Sequence, residues 1–133
     1  MIPREDDYSD FVAALMKDMG SSTLNILHAA VGISGEAGEL LDAVKKHWAY
    51  GKELDKVNVI EELGDLEFYM QAMRNQIGVP RSYILSKNQE KLAERYKSLK
   101  YSDAAAIERA DKVHQEETFH TPFLADITLG PGV

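Results

Sequence analysis

The stretch GISGEAGELLDAVKKHWAYGKELDKVNVIEELGD, residues 32–65, decides the fold of this chain. It contains two short acidic motifs, EAGE at 36–39 and EELGD at 61–65. Glu36 and Glu39 are three residues apart, and so are Glu62 and Asp65, which places each pair on one face of a helix. Because two carboxylates at that spacing repel each other, the sequence predicts a partner that compensates their charge.

Helical phase puts both acidic pairs beside apolar positions. The face of Glu62 and Asp65 continues through Tyr69, and leucine and valine flank the side of Glu36 and Glu39. The connection between the two helices is short, so we expect them to be antiparallel neighbours. Burying four carboxylates without compensation is prohibitive, which favours a bound divalent cation. Oxygen ligands select hard ions, so Mg²⁺ is expected and Mn²⁺ is possible.

Composition and charge narrow the class of protein. The 133 residues predict a single domain, and the absence of cysteine excludes disulfides and thiolate metal sites. A net charge of −7 argues against a broad nucleic-acid surface, so no nucleic-acid partner is expected. The acidic first residues differ from a signal peptide, and no apolar run reaches the ~20 residues of a membrane span. A cytoplasmic protein without a membrane partner is expected.

Apolar periodicity and capping residues predict an all-α fold, an antiparallel bundle of four main helices. The predicted helices are 6–19, 24–50, 56–77 and 82–99, with a weaker fifth helix at 103–117 and an extended tail from about residue 118.

Three glycines, Gly32, Gly35 and Gly38, fall inside the second predicted helix. Each costs up to ~1 kcal/mol relative to alanine in a helix interior, so their presence needs a reason. One explanation is a break or kink near VGISG at 31–35. The other is the close approach of a neighbouring helix or a ligand beside the glutamates.

The fourth predicted helix carries Asn88, Lys91 and Arg95 along one edge. This edge is either a solvated basic surface or, together with the acidic pairs, a site for a polyphosphate held by a metal ion and cations. The chain has no P-loop motif and no evident Ser-His-Asp or Cys-His nucleophile, so water is the expected nucleophile. A di-iron carboxylate site is disfavoured, because the one Glu-x-x-His spacing is Glu117 to His120 near the C-terminus.

These motifs resemble the MazG-like all-α nucleoside triphosphate pyrophosphohydrolases. The family signature E-x-x-E, spacer, E-x-x-D corresponds to EAGE at 36–39 and EELGD at 61–65, and NQEKLAERY at 88–96 resembles the family's N-x-x-K-L-x-x-R-Y segment. The resemblance covers about residues 24–97. It implies Mg²⁺-dependent hydrolysis of a nucleoside or deoxynucleoside triphosphate to the monophosphate and pyrophosphate, in a homodimer or homotetramer whose subunits complete the bundle together.

The resemblance also implies roles for individual residues. The metal ligands and catalytic acids would be Glu36, Glu39, Glu62 and Asp65, and the substrate contacts would be Asn88, Lys91, Arg95 and Lys46. Lys46 is preferred to Lys45 because helical phase places it nearer Glu39.

Several neighbouring residues keep two interpretations. His28 lines a base pocket or is a core histidine, and Glu61 orients a ligand or is a solvated helix residue. Trp48 and Tyr50 stack on a base or close the end of their helix against the bundle.

A second class of function also fits the pattern: a catalytically silent helical dimerisation module with a structural metal. The complete set of four acids and the Asn88, Lys91 and Arg95 triplet favours the enzyme, because a silent module has no physical need for acidic pairs beside apolar stripes. In either case, uncovered apolar positions of the second helix (Leu24, Leu27, Val31, Leu41 and Trp48) predict an oligomer.

Overall fold

The computed structural model of this chain describes residue 2 and residues 4–112. These residues form helices and connections, and no strand lies among them. The helices are α1 (Glu5–Leu15), α2 (Ser22–Tyr50), α3 (Lys56–Ile77), α4 (Arg81–Arg95) and α5 (Asp103–Glu108), followed by the 3-10 helix Ala110–Lys112. The predicted all-α fold is confirmed over this part of the chain. The predicted tail from about residue 118 lies outside the described residues.

The described residues group into two compact units. The first ends at Ile77 and contains α1, α2 and α3, with α3 packed against both other helices. The second begins at Gly78, and in it α4 contacts α5 and the 3-10 helix. Among the described helices, none combines the length and the apolar character that a membrane span requires.

The ends of α2 and α3 follow from capping residues. The Ser21 hydroxyl accepts a hydrogen bond from the Leu24 N–H at 3.2 Å, and Gly51 ends α2 in the left-handed region with φ of 62°. The Asp55 carboxylate accepts a hydrogen bond from the Asn58 N–H at 3.1 Å at the start of α3. The boundaries predicted for both helices are confirmed to within two residues.

Helix α1 ends at Leu15, four residues earlier than predicted. The Asp18 carboxylate accepts a hydrogen bond from the Gly20 N–H at 2.9 Å, and the Asn25 side chain accepts one from the Met19 N–H at 2.7 Å. Because these side chains bond backbone donors that a longer helix would use, residues 16–20 form a non-helical connection instead.

The fourth and fifth predicted helices are also too long. Helix α4 ends at Arg95 and α5 ends at Glu108. Leu99 has φ of 55° and Arg109 has φ of 52°, both in the left-handed region, which a continuous right-handed helix cannot contain. The helix predicted for 103–117 is therefore interrupted at Arg109.

The core of the first unit is small. Its fully buried members are Val12, Ala29 and Ala72, one from each helix. The partly buried side chains around it are Tyr8, Met16, Phe68 and Met73. Two of the three central residues are alanines, so the helices approach closely but bury little apolar area.

A polar network joins α1 to α3. It consists of the buried Gln71 and Arg74 and the half-buried Ser9 and Asn75. The Ser9 hydroxyl and the Gln71 amide both donate hydrogen bonds to the Asn75 Oδ1, at 2.7 and 2.9 Å, and the Asn75 amide donates to the Ser9 carbonyl at 3.1 Å. The Arg74 guanidinium donates twice to the Gln71 Oε1, at 3.2 and 2.7 Å. The network satisfies polar groups that would be costly to bury alone.

Helix α2 is apolar on two sides. One side contacts α3, and the other, the outer face of α2, carries Leu27, Val31, Leu41 and Trp48, which are 56%, 61%, 67% and 82% exposed. Leu24, the remaining residue predicted on this face, is half-buried. A helix with apolar residues on both sides is typical of one covered on both sides.

Candidate metal centre

Helices α2 and α3 meet as antiparallel neighbours at the level of the acidic motifs. The ring of Tyr69 lies against Gly32, and one turn further along α2 Glu36 faces Glu62 and Asp65. The two helices therefore run in opposite directions, as we expected from the short connection between them. Consequently, acidic residues 26 to 29 positions apart in sequence meet across one helix interface.

Three carboxylates converge at this interface. One oxygen atom from each of Glu36, Glu62 and Asp65 lies within 4.8 Å of the other two. Opposite ligands of an octahedral Mg²⁺ are about 4.2 Å apart, twice the usual ligand distance. Adjacent ligands are about 3.0 Å apart, so the three oxygen atoms would have to draw closer together than 4.8 Å to share one ion, which a change of side-chain torsion angles can supply.

Glu39, the fourth predicted ligand, lies outside this triad and is exposed. It is nevertheless close enough to act on the triad electrostatically. Burial raises the pKa of Glu62 most, followed by the negative charges of Glu39, Glu36, Asp65 and Glu61. All four predicted acids thus contribute to one local field, and Glu61 adds to it.

The excess negative charge makes this a place for a cation. The ion pairs described in the first unit do not include the three carboxylates of the triad. They join Arg4 to Asp7, Lys46 to Asp42, and Arg74 to Glu67. The donors in the triad are carboxylate oxygens without nitrogen or sulfur, the set that suits a hard ion such as Mg²⁺ or Mn²⁺. The arrangement can hold a divalent cation, and the same charges would repel an anion in its absence.

The three glycines of α2 do not mark a break, because the helix runs without interruption through residues 32–38. The helix is thus not broken near VGISG, and the close approach of α3 explains Gly32. A Cβ atom added there would overlap the Cγ, Cδ1 and Cε1 atoms of Tyr69. At Gly35 and Gly38 an added Cβ would meet nothing within 4 Å, and nothing in the structure explains these two glycines.

Lys46 lies on the Glu39 side of α2, as helical phase predicted, but its ammonium group pairs with Asp42 at 3.0 Å. The hydrogen bond to Asp42 raises the pKa of Lys46 most, and the charges of Asp42, Glu39 and Asp55 add to the effect. Both partners are more than half exposed, so this pair is weak and could be exchanged for a phosphate.

The three substrate residues predicted on the fourth helix lie on α4, in the second unit. Asn88 is exposed, whereas Lys91 and Arg95 are half-buried. The Arg95 guanidinium donates two hydrogen bonds to the Asp111 carboxylate, at 2.7 and 3.0 Å. Arg95 is therefore engaged with a carboxylate rather than part of a solvated basic edge.

Asp111 is a residue that the sequence did not reveal. Its side chain is 1% exposed, and its hydrogen bonds to Arg95 lower its pKa to about 2. The predicted helix 103–117 would have carried Asp111 along as one more helical residue. The left-handed conformation of Arg109 instead turns the chain so that Asp111 reaches α4, and no local sequence signal predicts that turn at an arginine.

His28 and the aromatic residues at the end of α2 differ in burial. His28 is half-buried beside Tyr69, with ring centroids 6.2 Å apart, and its Nδ1 atom is buried without a hydrogen-bond partner among the described residues. Trp48 and Tyr50 are mostly exposed, so they do not close the end of α2 against the first unit. A contact between any of these residues and a base stays a prediction.

The predicted relationship to the MazG-like family depends on the motifs quoted above. The described residues form helices without a strand, and they bring Glu36, Glu62 and Asp65 together. Comparison with protein-family models, with curated proteins and with solved structures finds no match for this chain.

Proposed function

We propose that this chain is a Mg²⁺-dependent nucleoside triphosphate pyrophosphohydrolase. The observation that carries the proposal is the convergence of three carboxylates from two antiparallel helices, with oxygen atoms within 4.8 Å of one another. Such a cluster is unfavourable unless a cation neutralises it, and Mg²⁺ is the hard ion that accompanies nucleoside triphosphates.

The residues fit that ion by their chemistry. Glu36, Glu62 and Asp65 would hold it, and Glu39, whose charge acts on Glu62, is the fourth acid that the family resemblance assigns to the site. When bound, Mg²⁺ neutralises phosphate charge and makes a water molecule more acidic. The raised pKa of Glu62 reflects burial and charge repulsion in the metal-free site.

The proposed reaction is the attack of water on the α-phosphorus. A bond forms between the water oxygen and that phosphorus while the bond to the bridging oxygen of the β-phosphate breaks. The products are a nucleoside monophosphate and pyrophosphate, and the water proton passes to a carboxylate or to solvent. The choice of this bond, and the substrate roles of Asn88, Lys91, Arg95 and Lys46, derive from the family resemblance.

We further propose that the functional form is a homodimer or a homotetramer built from such dimers. The support is the outer face of α2, where four large apolar side chains are more than half exposed. Exposed apolar patches of this kind usually mark an interface, and a two-fold axis would cover the same face on both copies at once.

The test is release of pyrophosphate from a panel of ribonucleoside and deoxyribonucleoside triphosphates, with Mg²⁺ or Mn²⁺ and with EDTA as the blank. We expect metal-dependent hydrolysis that Glu62→Gln abolishes, because the amide loses a negative metal ligand. Glu53→Gln makes the same chemical change at an exposed position of the α2 to α3 connection, and it should retain activity.

Stability without metal gives a second measurement on the same variants. Glu62→Gln removes one of several repelling charges, so in EDTA its thermal unfolding midpoint should equal or exceed that of the wild type. A wild-type protein that binds Mg²⁺ but cleaves no triphosphate would favour the silent interaction module. Wild-type turnover in Glu62→Gln would contradict the assignment of the metal site.

A further inference from the structure

The contact between Gly32 and Tyr69 is the closest approach of α2 and α3 seen at any described glycine. The Tyr69 ring occupies the position that a Cβ atom of residue 32 would take. Gly32 lies four residues before Glu36, and Tyr69 lies four residues after Asp65. The contact therefore sits one helical turn from the carboxylates on both helices.

The Tyr69 ring is held in place by its neighbours. Phe68 meets it edge to face with ring centroids 5.3 Å apart, and His28 meets it at 62° with centroids 6.2 Å apart. A ring supported on two sides cannot swing away to make room for an added methyl group without disturbing these contacts. The distance between α2 and α3 at this level is thus set by the contact between the Tyr69 ring and the backbone of Gly32, which has no side chain.

This spacing determines whether one ion can reach both helices. Glu36 belongs to α2, whereas Glu62 and Asp65 belong to α3, so the separation of the carboxylates follows the separation of the helices. Mg²⁺ tolerates little departure from ligand distances of about 2.1 Å. A displacement of one helix by about an ångström would add to the movement that the carboxylate side chains already need, and would therefore weaken the binding of an ion shared between the two helices.

We propose that Gly32 and Tyr69 are positioning residues of the metal centre, which set the separation of α2 and α3 so that Glu36 shares one divalent cation with Glu62 and Asp65. The inference rests on the proposed metal site and concerns how that site is built. Neither residue is a ligand, and the ring of Tyr69 rather than its hydroxyl performs the role.

The first experiment measures Mn²⁺ binding to the purified full-length chain, without nucleotide, by titration calorimetry. Gly32→Ala should weaken binding about tenfold or more, the range seen when residues that orient metal ligands are changed. Gly35→Ala makes the same substitution in the same helix where an added Cβ meets nothing within 4 Å, and it should bind as the wild type does. Equal binding by the wild type and Gly32→Ala would overturn the inference.

A second pair of variants keeps the test decisive if Gly32→Ala does not fold. Tyr69→Phe retains the ring and should bind Mn²⁺ normally, whereas Tyr69→Leu removes the ring and should bind severalfold more weakly. Loss of binding in Tyr69→Phe would make the hydroxyl essential and overturn the inference. Absence of Mn²⁺ binding in the wild type would instead refute the metal site itself.

Discussion

Leu41 provides the sharpest test of self-association, because it lies in the middle of the outer face of α2. Its side chain is 67% exposed in the single chain. Fully burying a leucine is worth about 1.5–3 kcal/mol, so covering this exposed part is worth roughly 1–2 kcal/mol. A two-fold interface counts the residue twice, which gives about 2–4 kcal/mol for the dimer.

Replacing Leu41 by alanine should therefore raise the dissociation constant of the dimer roughly 30-fold to 1000-fold. The fold of α2 should be retained, because alanine has the highest helix propensity. Sedimentation equilibrium over a series of protein concentrations measures the constant directly, and circular dichroism confirms that the helices persist.

Leu15→Ala is the matched control, since Leu15 is 61% exposed but lies on α1. We expect a much smaller change in association for this variant. Similar losses in both variants would show that the outer face of α2 is not the specific interface. A folded wild-type species near 14.9 kDa at low micromolar concentration would refute self-association altogether.

Two further predictions concern α4. The pKa of Asp111 is lowered to about 2 by Arg95, so the pair stabilises the fold fully above about pH 4 and loses its contribution as the pH falls towards 2. Thermal unfolding midpoints of the wild type and Asp111→Asn should accordingly differ most above pH 4 and converge near pH 2; a difference that does not depend on pH would contradict the ion pair. Lys91→Ala should lower kcat/KM about tenfold or more, because a charge-assisted hydrogen bond is worth ~1.5–3 kcal/mol. Lys87→Ala, which removes a lysine paired with Glu90 at 2.8 Å, should leave the steady-state constants of hydrolysis unchanged, and an equal effect of both substitutions would contradict a phosphate contact at Lys91.

The predictable parts of the structure are those that local signals specify. Ser21 and Gly51 mark the ends of α2 because a hydroxyl cap and a left-handed glycine act within a few residues. The periodicity of the acidic motifs likewise placed Glu36, Glu62 and Asp65 on facing sides of two neighbouring helices.

The parts that sequence reasoning missed depend on contacts between distant residues. Asn25 lies on α2, and its side chain accepts a hydrogen bond from the Met19 N–H just after the end of α1. Asp111 reaches Arg95 because Arg109 adopts a left-handed conformation. The contact between Gly32 and Tyr69 is a further example. Helical phase placed Tyr69 on the same face as Glu62 and Asp65, but it does not tell which residue of α2 lies opposite Tyr69 along the helix axis.

The polar network between α1 and α3 has a consequence for how uniquely this small helical unit is specified. Alanine and valine in the core would tolerate sliding of one helix along another, since small apolar surfaces match in many positions. A slip of α1 by one turn, about 5.4 Å, would separate Ser9 from Asn75, and the partly buried Asn75 amide would lose the Ser9 carbonyl to which it donates. The hydrogen bonds between Ser9 and Asn75 thus act together with the packing of Tyr8 and Met16 to specify one register for the N-terminal helix.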